Sequence, residues 1–273
     1  MKNSESPWRA VRHTFASACA AAIVLFPPPL AADTAKPGTG WGNRAPLIEP
    51  NSEMAVARLD GRIYVVGGYP STRISVSTVQ VYDIDSDRWR LTTPYPTPIN
   101  HASAVGINGL LYVFGGQTNA GGRNEKSRYT AAVYDYDPKT EKWSPRASMP
   151  TARSAMAHDI IDGRVYVGGF RSEITAALEI YDPAAGKWAA KQPMPEARSG
   201  LNGIAVRGCF HTFGGEHPTA GPSGVFPHHL VYNPKTDSWT RMSDMAIPVH
   251  GVTGLAYAND VIHLPGGGTQ MGG

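Results

Sequence analysis

The chain has 273 residues, of which 30 are glycine, 23 are proline and only 17% are charged. Glycine and proline together stay below the roughly 25–30% typical of disordered low-complexity chains, and 41% hydrophobic residues suffice for a core. This composition favours many short strands and argues against a helical bundle. The net charge of +3 comes without a basic stripe that would suit a nucleic-acid backbone, so we expect no nucleic-acid partner.

The first residues have the pattern of a secretory leader. A basic stretch ending at Arg12 is followed by an apolar run from Phe15 to Phe26, and then by Ala31-Ala32. The run is shorter than the roughly 20 residues that span a bilayer. We therefore expect a signal peptide cut after Ala32 and a periplasmic or secreted mature protein with no stable membrane span. An uncleaved anchor is the alternative.

These features divide the chain into three parts. Residues 1–32 are the signal peptide, residues 33–40 a linker, and residues 41–273 one folded domain, which we expect to be a monomer. Cys19 lies in the leader, so a mature chain keeps only Cys209 and has no internal disulfide or multi-cysteine metal site. We expect no metal and no cofactor, and Cys209 is interpreted as a small core residue.

Internal repeats dominate the rest of the sequence. Gly-Gly closes an apolar run five times, at Gly67-Gly68, Gly115-Gly116, Gly168-Gly169, Gly214-Gly215 and Gly266-Gly267. A tryptophan recurs in step, at Trp41, Trp89, Trp143, Trp188 and Trp239. A tyrosine followed by Asp or Asn lies between, at Tyr82, Tyr134, Tyr181 and Tyr232. Such a period indicates a repeat architecture.

Each repeat is predicted to form four strands. A mildly apolar first strand leads into a two-residue turn such as Asn108-Gly109, which suits a tight hairpin. An apolar run such as Leu111 to Phe114 then forms the second strand and ends at Gly-Gly. The third strand ends at the tyrosine, and the fourth begins near the tryptophan.

The double glycine, tyrosine and tryptophan at about 50 residues per repeat resemble the Kelch family of β-propellers. The resemblance covers residues 41–273. It implies an all-β fold in which four-stranded blades surround a central channel, with five repeats visible. It also implies that the marked residues specify the fold and not an activity.

The closing blade is expected to be incomplete. After Gly268 only five residues remain, whereas the shortest path from Gly-Gly to tyrosine, Gly169 to Tyr181, takes 12 steps. Trp41 has the position of an outer strand without earlier strands of its own. Either the sequence is truncated, which we favour, or residues 41–48 pair with another part of the structure. We expect the chain to be less stable than one extended by about 20 residues, because an unpaired strand edge remains.

A binding site is expected at the mouth of the channel, where the first strands begin. Each repeat presents a different polar residue there: Glu53, His101, Arg153, Arg198 and His250. Two arginines would suit a carboxylate by bidentate hydrogen bonding, and a glutamate with a histidine would suit acid–base chemistry. The alternative is that these residues only solvate the mouth.

Two long loops between second and third strands could add specificity over the channel. Their polar and aromatic residues include Arg123, Tyr129, Glu216, His217, Phe226, His228 and His229. Ordinary solvated loops are the alternative. Adjacent side chains on an extended segment point to opposite sides, so His228-His229 is not expected to share a metal ion. His158, His211 and His263 are interpreted as structural.

Three functions compete. The first is a binding or interaction module for a protein or carbohydrate ligand, which needs no catalytic motif. The second is a sugar-acid mutarotase resembling the exported N-acetylneuraminate epimerases, although that family has six repeats. The third, a galactose oxidase-like copper enzyme, is disfavoured because Cys209 lies in an apolar strand. Fold alone does not decide among them.

The expected signal peptide predicts the amino terminus of the exported protein. When the full chain is expressed in a bacterium with a secretion pathway, N-terminal sequencing of the exported protein should begin within a few residues of Asp33. Replacing the apolar run by polar residues should abolish cleavage. Recovery of an intact amino terminus at Met1 would contradict the prediction.

Overall fold

The computed structural model describes residues 42–119, 126–169, 175–252 and 254–272. These residues contain 20 strands and no helix, arranged as four sheets of four strands and two sheets of two. The four-stranded sheets are blades of a β-propeller, so the all-β prediction is confirmed. Across these described ranges, nothing is both helical and long and apolar enough to cross a membrane.

Each complete blade is an antiparallel meander in chain order. Blade 1 consists of β1 (Ala55–Leu59), β2 (Arg62–Val66), β3 (Val79–Asp83) and β4 (Arg88–Thr92). Blade 2 consists of β5 (Ser103–Ile107), β6 (Leu110–Phe114), a ribbon of β7 (Gln117–Thr118) and β8 (Arg128–Tyr129), then β9 (Val133–Asp137) and β10 (Lys142–Arg146). The ribbon lies outside the four-stranded sheet of its blade.

The remaining blades follow the same order. Blade 3 consists of β11 (Ala157–Ile161), β12 (Arg164–Gly168), β13 (Leu178–Asp182) and β14 (Lys187–Lys191). Blade 4 consists of β15 (Asn202–Val206), β16 (Cys209–Phe213), β17 (His229–Asn233) and β18 (Ser238–Arg241). Blade 5 has two strands among the described residues, β19 (Ala256–Ala258) and β20 (Val261–His263). The expected incomplete closing blade is therefore observed.

The predicted hairpin turns are present between first and second strands. Asn108 and Gly109 both have positive φ, at 54° and 75°, and Asp60 and Gly61 have 47° and 73°. This backbone twist matches that of the flanking strands in two-residue hairpins. Short polar residues and glycine adopt it at low cost, which explains the recurrence of these pairs.

Aromatic residues fill the spaces between blades. Tyr136 of blade 2 packs against Tyr64 of blade 1 with ring centroids 6.1 Å apart. In the next space, Tyr181 packs against Phe114 at 5.8 Å, and one blade later Tyr232 packs against Tyr166 at 6.1 Å. These rings are buried, and each belongs to the core shared by two neighbouring blades. The core is thus a series of layers between sheets.

The tryptophans fasten the outer edges of neighbouring blades. Each indole N–H donates to a backbone carbonyl of the preceding repeat: Trp89 to Ala45 (2.8 Å), Trp143 to Thr93 (3.1 Å), Trp188 to Ala147 (2.9 Å) and Trp239 to Gln192 (2.8 Å). Every acceptor lies four residues after the tryptophan of its own repeat, counting from Trp41 in the first case. Trp41 itself lies outside the described residues.

The segment after Trp41 is therefore placed against blade 1. It forms no strand within residues 42–48, but Ala45 N–H also donates to the Asp87 carboxylate at 2.9 Å. Farther along, the backbone of Glu49 exchanges two 3.0 Å hydrogen bonds with the buried Gln80 side chain. At blade 1 this segment has the place that the segments after β4, β10 and β14 have at blades 2, 3 and 4.

The double glycines join consecutive blades near the channel. The N–H of the second glycine donates to the carbonyl that precedes the next first strand: Gly68 to Ile99 (2.7 Å), Gly116 to Arg153 (2.7 Å) and Gly215 to Val249 (3.1 Å). The first glycine of each pair has positive φ, and a Cβ there would overlap the same carbonyl oxygen. The pair therefore allows a positive φ and also lets the carbonyl of the next blade come close to its backbone.

Blade 3 departs from this pattern by one residue. Gly168 is the last residue of β12, at the position that Phe114 occupies in β6. Gly169, with φ of 78°, takes the place of the first glycine, and an added Cβ would overlap Leu201. The alignment of Gly168-Gly169 with the other pairs is thus shifted by one position.

A matched pair of alanine substitutions in blade 4 tests whether the close approach of the Val249 backbone requires glycine at position 214. Both Gly214 and Gly208 have positive φ, but only a Cβ on Gly214 would meet the Val249 backbone. Gly208→Ala should cost about 1–2 kcal/mol from the left-handed conformation alone. Gly214→Ala should cost more than about 4 kcal/mol, an exceptional value for one substitution. Urea denaturation monitored by fluorescence gives both values, and equal losses would contradict the prediction.

Candidate functional site

A belt of left-handed residues surrounds the mouth of the channel. One residue from each repeat has positive φ there: Glu53 (55°), His101 (51°), Ala155 (49°), Gly200 (58°) and Gly251 (64°). The N–H of His101 donates to the carbonyl of Glu53 at 2.8 Å, and that of Ala155 donates to His101 at 2.9 Å. Gly251 donates to Gly200 at 2.8 Å. The belt thus links the starts of neighbouring first strands.

A cavity of about 690 Å³ opens at this belt. It is lined by Pro50, Asn51, Ser52, Glu53, Tyr69, Pro70, Ser71, Arg73, His101, Ala155, Gly200, Glu216, His250, Gly251, Gly268 and Gly272. Every repeat contributes to this lining. Four of the residues expected at the site, Glu53, His101, Glu216 and His250, come together here.

The first polar pair of the cavity joins blades 1 and 2. Nε2 of His101 lies 3.1 Å from Oε2 of Glu53, and Nδ1 of His101 lies 2.5 Å from Oδ1 of Asn100. The imidazole is almost buried, whereas 44% of the Glu53 side chain is exposed. Glu53 therefore presents a carboxylate to the cavity that is oriented from behind by His101.

The second polar pair joins blades 4 and 5. Nδ1 of His250 lies 3.5 Å from Oε2 of Glu216, and both side chains are about nine-tenths buried. Glu216 also accepts hydrogen bonds from Ser199 Oγ at 3.4 Å and from the Gly272 N–H at 2.9 Å. Glu216 is thus held more firmly than Glu53.

The other lining residues were not predicted from the sequence, and two of them, Tyr69 and Arg73, add an aromatic ring and a positive charge. Tyr69 and Arg73 lie on the loop after the first Gly-Gly, and the Arg73 guanidinium lies 5.9 Å from the centroid of the Tyr69 ring. This loop is short, so its length did not mark it as functional. An aromatic residue directly after a double glycine was the available signal, because that position adjoins the channel mouth.

Arg153 does not lie at the mouth as expected. Its side chain is completely buried and lies 2.7 Å from the Glu179 carboxylate, itself buried in β13. It also donates to the carbonyls of Gly169 and Ala177 at 3.4 Å each. Burial lowers the pKa of Arg153, opposed by the Glu179 charge. The structure therefore gives Arg153 a place between strands of blade 3.

Arg198 is placed in the same way in blade 4. It is completely buried, pairs with Glu196, donates to the Gly214 carbonyl at 3.0 Å, and lies 4.4 Å from the Phe226 ring centroid. Burial lowers its pKa to about 10. His228 joins this cluster with Nδ1 3.0 Å from the Glu196 carboxylate, and so lies away from the cavity lining.

The other residues of interest fall into three groups. Tyr129 pairs with Gln117 in the ribbon of β7 and β8, and Arg123 lies outside the described residues. His158 and His211 are internal, and burial lowers the pKa of both, to about 4 for His211. His263 ends β20, and Cys209 is buried in β16.

The cavity offers hydrogen bonding and proton transfer. Within the described ranges, no three His, Cys, Asp or Glu side chains are arranged to hold a metal ion. The charged lining that the structure describes consists of two carboxylates and one guanidinium, and His101 lies close enough to Glu53, at 3.1 Å, to exchange a proton with it. With Arg153 and Arg198 buried elsewhere, the expected two-arginine carboxylate site is not formed.

The amino-acid sequence matches a known family over most of its length. Residues 53–267 match the family described as the KLHDC2/KLHL20/DRC7 Kelch-repeats domain. The chain is 26% identical over 243 residues to Kelch-like protein terF of Aspergillus terreus, covering 85% of this chain and 53% of that protein. It is 30% identical over 133 residues to Kelch-like protein 35 of Mus musculus, covering 49% of this chain and 21% of that protein.

A solved structure agrees with the fold. The structure of YjhT superposes with a TM-score of 0.65 at 18% sequence identity, covering 79% of this chain and 72% of that one. At this identity the likeness concerns the fold alone. The chain spans about half the length of terF and about a fifth of the length of Kelch-like protein 35.

Substitutions of two arginines in blade 3 test whether Arg153 forms a buried ion pair that stabilises the fold. Arg153→Gln leaves Glu179 buried without its cation and should cost about 3–5 kcal/mol. Arg164→Gln, which breaks an exposed 3.1 Å pair with Asp182, should cost less than about 1 kcal/mol. Urea denaturation measures both free energies. A loss below about 1 kcal/mol for Arg153→Gln would contradict the buried pair.

Proposed function

Because the chain belongs to the Kelch-repeat β-propeller family, whose domains generally serve as protein-interaction modules, we propose that it binds a segment of a partner protein. The segment enters the cavity at the channel mouth, between the starts of the first strands and the loops after the second strands. The cavity of about 690 Å³, lined by all five repeats, carries this proposal.

The shape and chemistry of the lining support a peptide ligand. The volume lies within the roughly 300–1,000 Å³ range of ligand pockets. Glu53 and Glu216 supply acceptors, Arg73 supplies donors, and Tyr69 supplies an aromatic surface. Gly200 and Gly251 add no side chain of their own to the lining, so that the backbone of a ligand can approach these two positions closely.

The same proposal places the protein outside the cytoplasm. Residues 1–32 have the features of a signal peptide, so the partner is periplasmic or extracellular. A protein or carbohydrate in that compartment is therefore the ligand to seek.

A sugar-acid mutarotase is the second candidate. The Glu53–His101 and Glu216–His250 pairs favour it, because both lie near hydrogen-bonding distance and face one cavity. The burial of Arg153 and Arg198 counts against it, since among the described residues Arg73 is the one arginine left to bind a carboxylate there. NMR of anomer exchange in N-acetylneuraminate decides the matter, and an unaccelerated rate rejects the mutarotase.

A cavity-filling substitution tests the interaction module. Ala155→Tyr should preserve the fold, because Ala155 already has positive φ and His101 carries an imidazole at the equivalent position. A displayed library of random peptides is selected on the wild-type protein, and the enriched peptides are then measured on both proteins. We expect the substitution to weaken their binding at least tenfold.

The control variant lies away from the cavity. Ala184→Tyr, in the exposed turn between β13 and β14, should leave peptide binding unchanged. If no peptide is enriched, or if every enriched peptide binds Ala155→Tyr as tightly as the wild type, the proposed site is wrong.

A further inference from the structure

Arg73 reaches the cavity from a strained backbone position. Its φ is 58°, in the left-handed region that residues with a bulky side chain rarely adopt. Its N–H closes a turn by donating to the Pro70 carbonyl at 2.9 Å. A residue of this kind keeps such a conformation only where the surrounding structure imposes it, and such positions are concentrated at functional sites. We therefore expect the loop of residues 69–75 to be held by specific contacts.

One side chain ties this loop to blade 2. Asn119, which follows β7, donates from Nδ2 to the Arg73 carbonyl at 2.6 Å. Its Oδ1 accepts the Ser75 N–H at 3.0 Å and the Ser75 hydroxyl at 2.5 Å. Both ends of the Asn119 amide are thus used on the loop, and they hold the backbone on both sides of residue 74.

The Ser75 hydroxyl lies at the centre of the contact. It donates to Asn119 Oδ1, and it accepts from the Asn119 N–H at 3.0 Å and from Asn100 Nδ2 at 2.7 Å. A hydroxyl has one hydrogen to donate and two lone pairs to accept, so the Ser75 hydroxyl is fully used. Ser75 and Asn100 are only 4% and 1% exposed. A buried polar network with its members satisfied makes the surrounding structure rigid.

The same network reaches a second group of the cavity wall. Asn100 directly precedes His101, and its Oδ1 lies 2.5 Å from His101 Nδ1. The backbone of Asn100 also pairs with Gln117, two residues before Asn119. Arg73 and His101 both line the cavity. One buried network therefore determines where these two groups lie relative to each other.

We propose that Asn119 is a positioning residue of the binding cavity: through the Arg73 carbonyl and Ser75 it holds the loop of residues 69–75 in the form in which Arg73 lines the channel mouth. Arg73 is then a preorganised contact and a determinant of which ligands bind. Arg73 meets a ligand there only if the cavity is the binding site of the proposed function, on which this inference rests.

Preorganisation predicts the size of the effect. A side chain and a loop that must be ordered when a ligand arrives reduce the affinity, because their freedom is lost on binding. An Arg73 that is already held in place avoids most of this loss. Removing the Asn119 amide should therefore weaken ligands that contact Arg73 by about three- to tenfold, and it should leave other ligands unchanged.

A double-variant experiment tests whether Asn119 acts through Arg73. Peptides selected on the wild-type protein are measured on Arg73→Gln, on Asn119→Ala and on the variant with both changes. We expect Arg73→Gln to weaken them by about tenfold or more, and Asn119→Ala by about three- to tenfold. Once Arg73 is replaced, Asn119→Ala should have no further effect, because the two residues act as one unit. An equal loss from Asn119→Ala in both backgrounds overturns the inference.

Two other substitutions serve as controls. Asn233→Ala removes the acceptor of the Lys235 N–H, at 2.9 Å in the outer turn of blade 4, and should leave peptide binding unchanged. Glu216→Gln changes the other polar pair of the cavity, so its effect should add to that of Asn119→Ala. A loss from Asn233→Ala as large as that from Asn119→Ala would assign both to general destabilisation and overturn the inference.

Hydrogen exchange followed by NMR separates this inference from the proposed function, because it needs no ligand. In Asn119→Ala the Ser75 N–H loses its acceptor, so the amides of Arg73 and Ser75 should exchange at least about tenfold faster, while those of β12 in blade 3 stay unchanged. Unchanged exchange at Arg73 and Ser75 overturns the inference.

The two experiments together assign any failure. Enriched peptides that Arg73→Gln does not weaken overturn the inference and leave the interaction module standing. Faster exchange in Asn119→Ala without any enriched peptide contradicts the interaction module and leaves the held loop standing.

Discussion

The close approach between a double glycine and the backbone of the next blade sets the geometry of the molecule. At Gly68, Gly116 and Gly215 the amide binds a carbonyl that immediately precedes the residues of the channel mouth. No side chain fits beside that carbonyl, and the positive φ disfavours other residues. Since this contact fixes where the next first strand begins, it also fixes how the blades are stacked and which residues face the channel.

The cavity is a consequence of that stacking. One residue per repeat is forced into the left-handed conformation at the mouth, and its side chain, where it has one, belongs to the wall. Glu53 and His101 place one polar pair on the wall, and Glu216 and His250 place a second one, whereas Gly200 and Gly251 add no side chain. The repeats share a backbone and differ in the side chains placed on it, so the fold supplies the position and the individual repeat supplies the chemistry.

The fold was predictable because the residues that specify it act over short stretches of sequence. Gly-Gly, Asn-Gly and the tyrosine and tryptophan positions report backbone conformations or contacts that recur at one spacing, and the structure places them as expected with two exceptions. The first is the one-residue shift at Gly168. The second is the tyrosine of blade 2, where Tyr136 and not Tyr134 pairs with the repeat tryptophan, as Tyr82, Tyr181 and Tyr232 do in the other blades.

The site was predictable only in part. Glu53, His101, Glu216 and His250 were found because counting along strands is accurate to a residue or two. Arg153 and Arg198 fall at the position of Ile99, whose side chain points into the blade interface. Glu179, the partner of Arg153, becomes visible only when the strands are assembled, whereas Glu196 lies two residues before Arg198 in the sequence. Tyr69 and Arg73 lack a repeated pattern, so nothing in their spacing marks them.

The indole hydrogen bonds have a practical consequence. Trp89, Trp143, Trp188 and Trp239 each lie at a different boundary, where the ring touches a tyrosine or phenylalanine of its own or the neighbouring blade and the N–H reaches back one repeat. Indole emission depends on its immediate surroundings, so the molecule carries one intrinsic fluorophore at each of these boundaries. A set of proteins that each keep one of the four, with Trp8 and Trp41 also replaced, would let opening of the ring be followed boundary by boundary without any added dye.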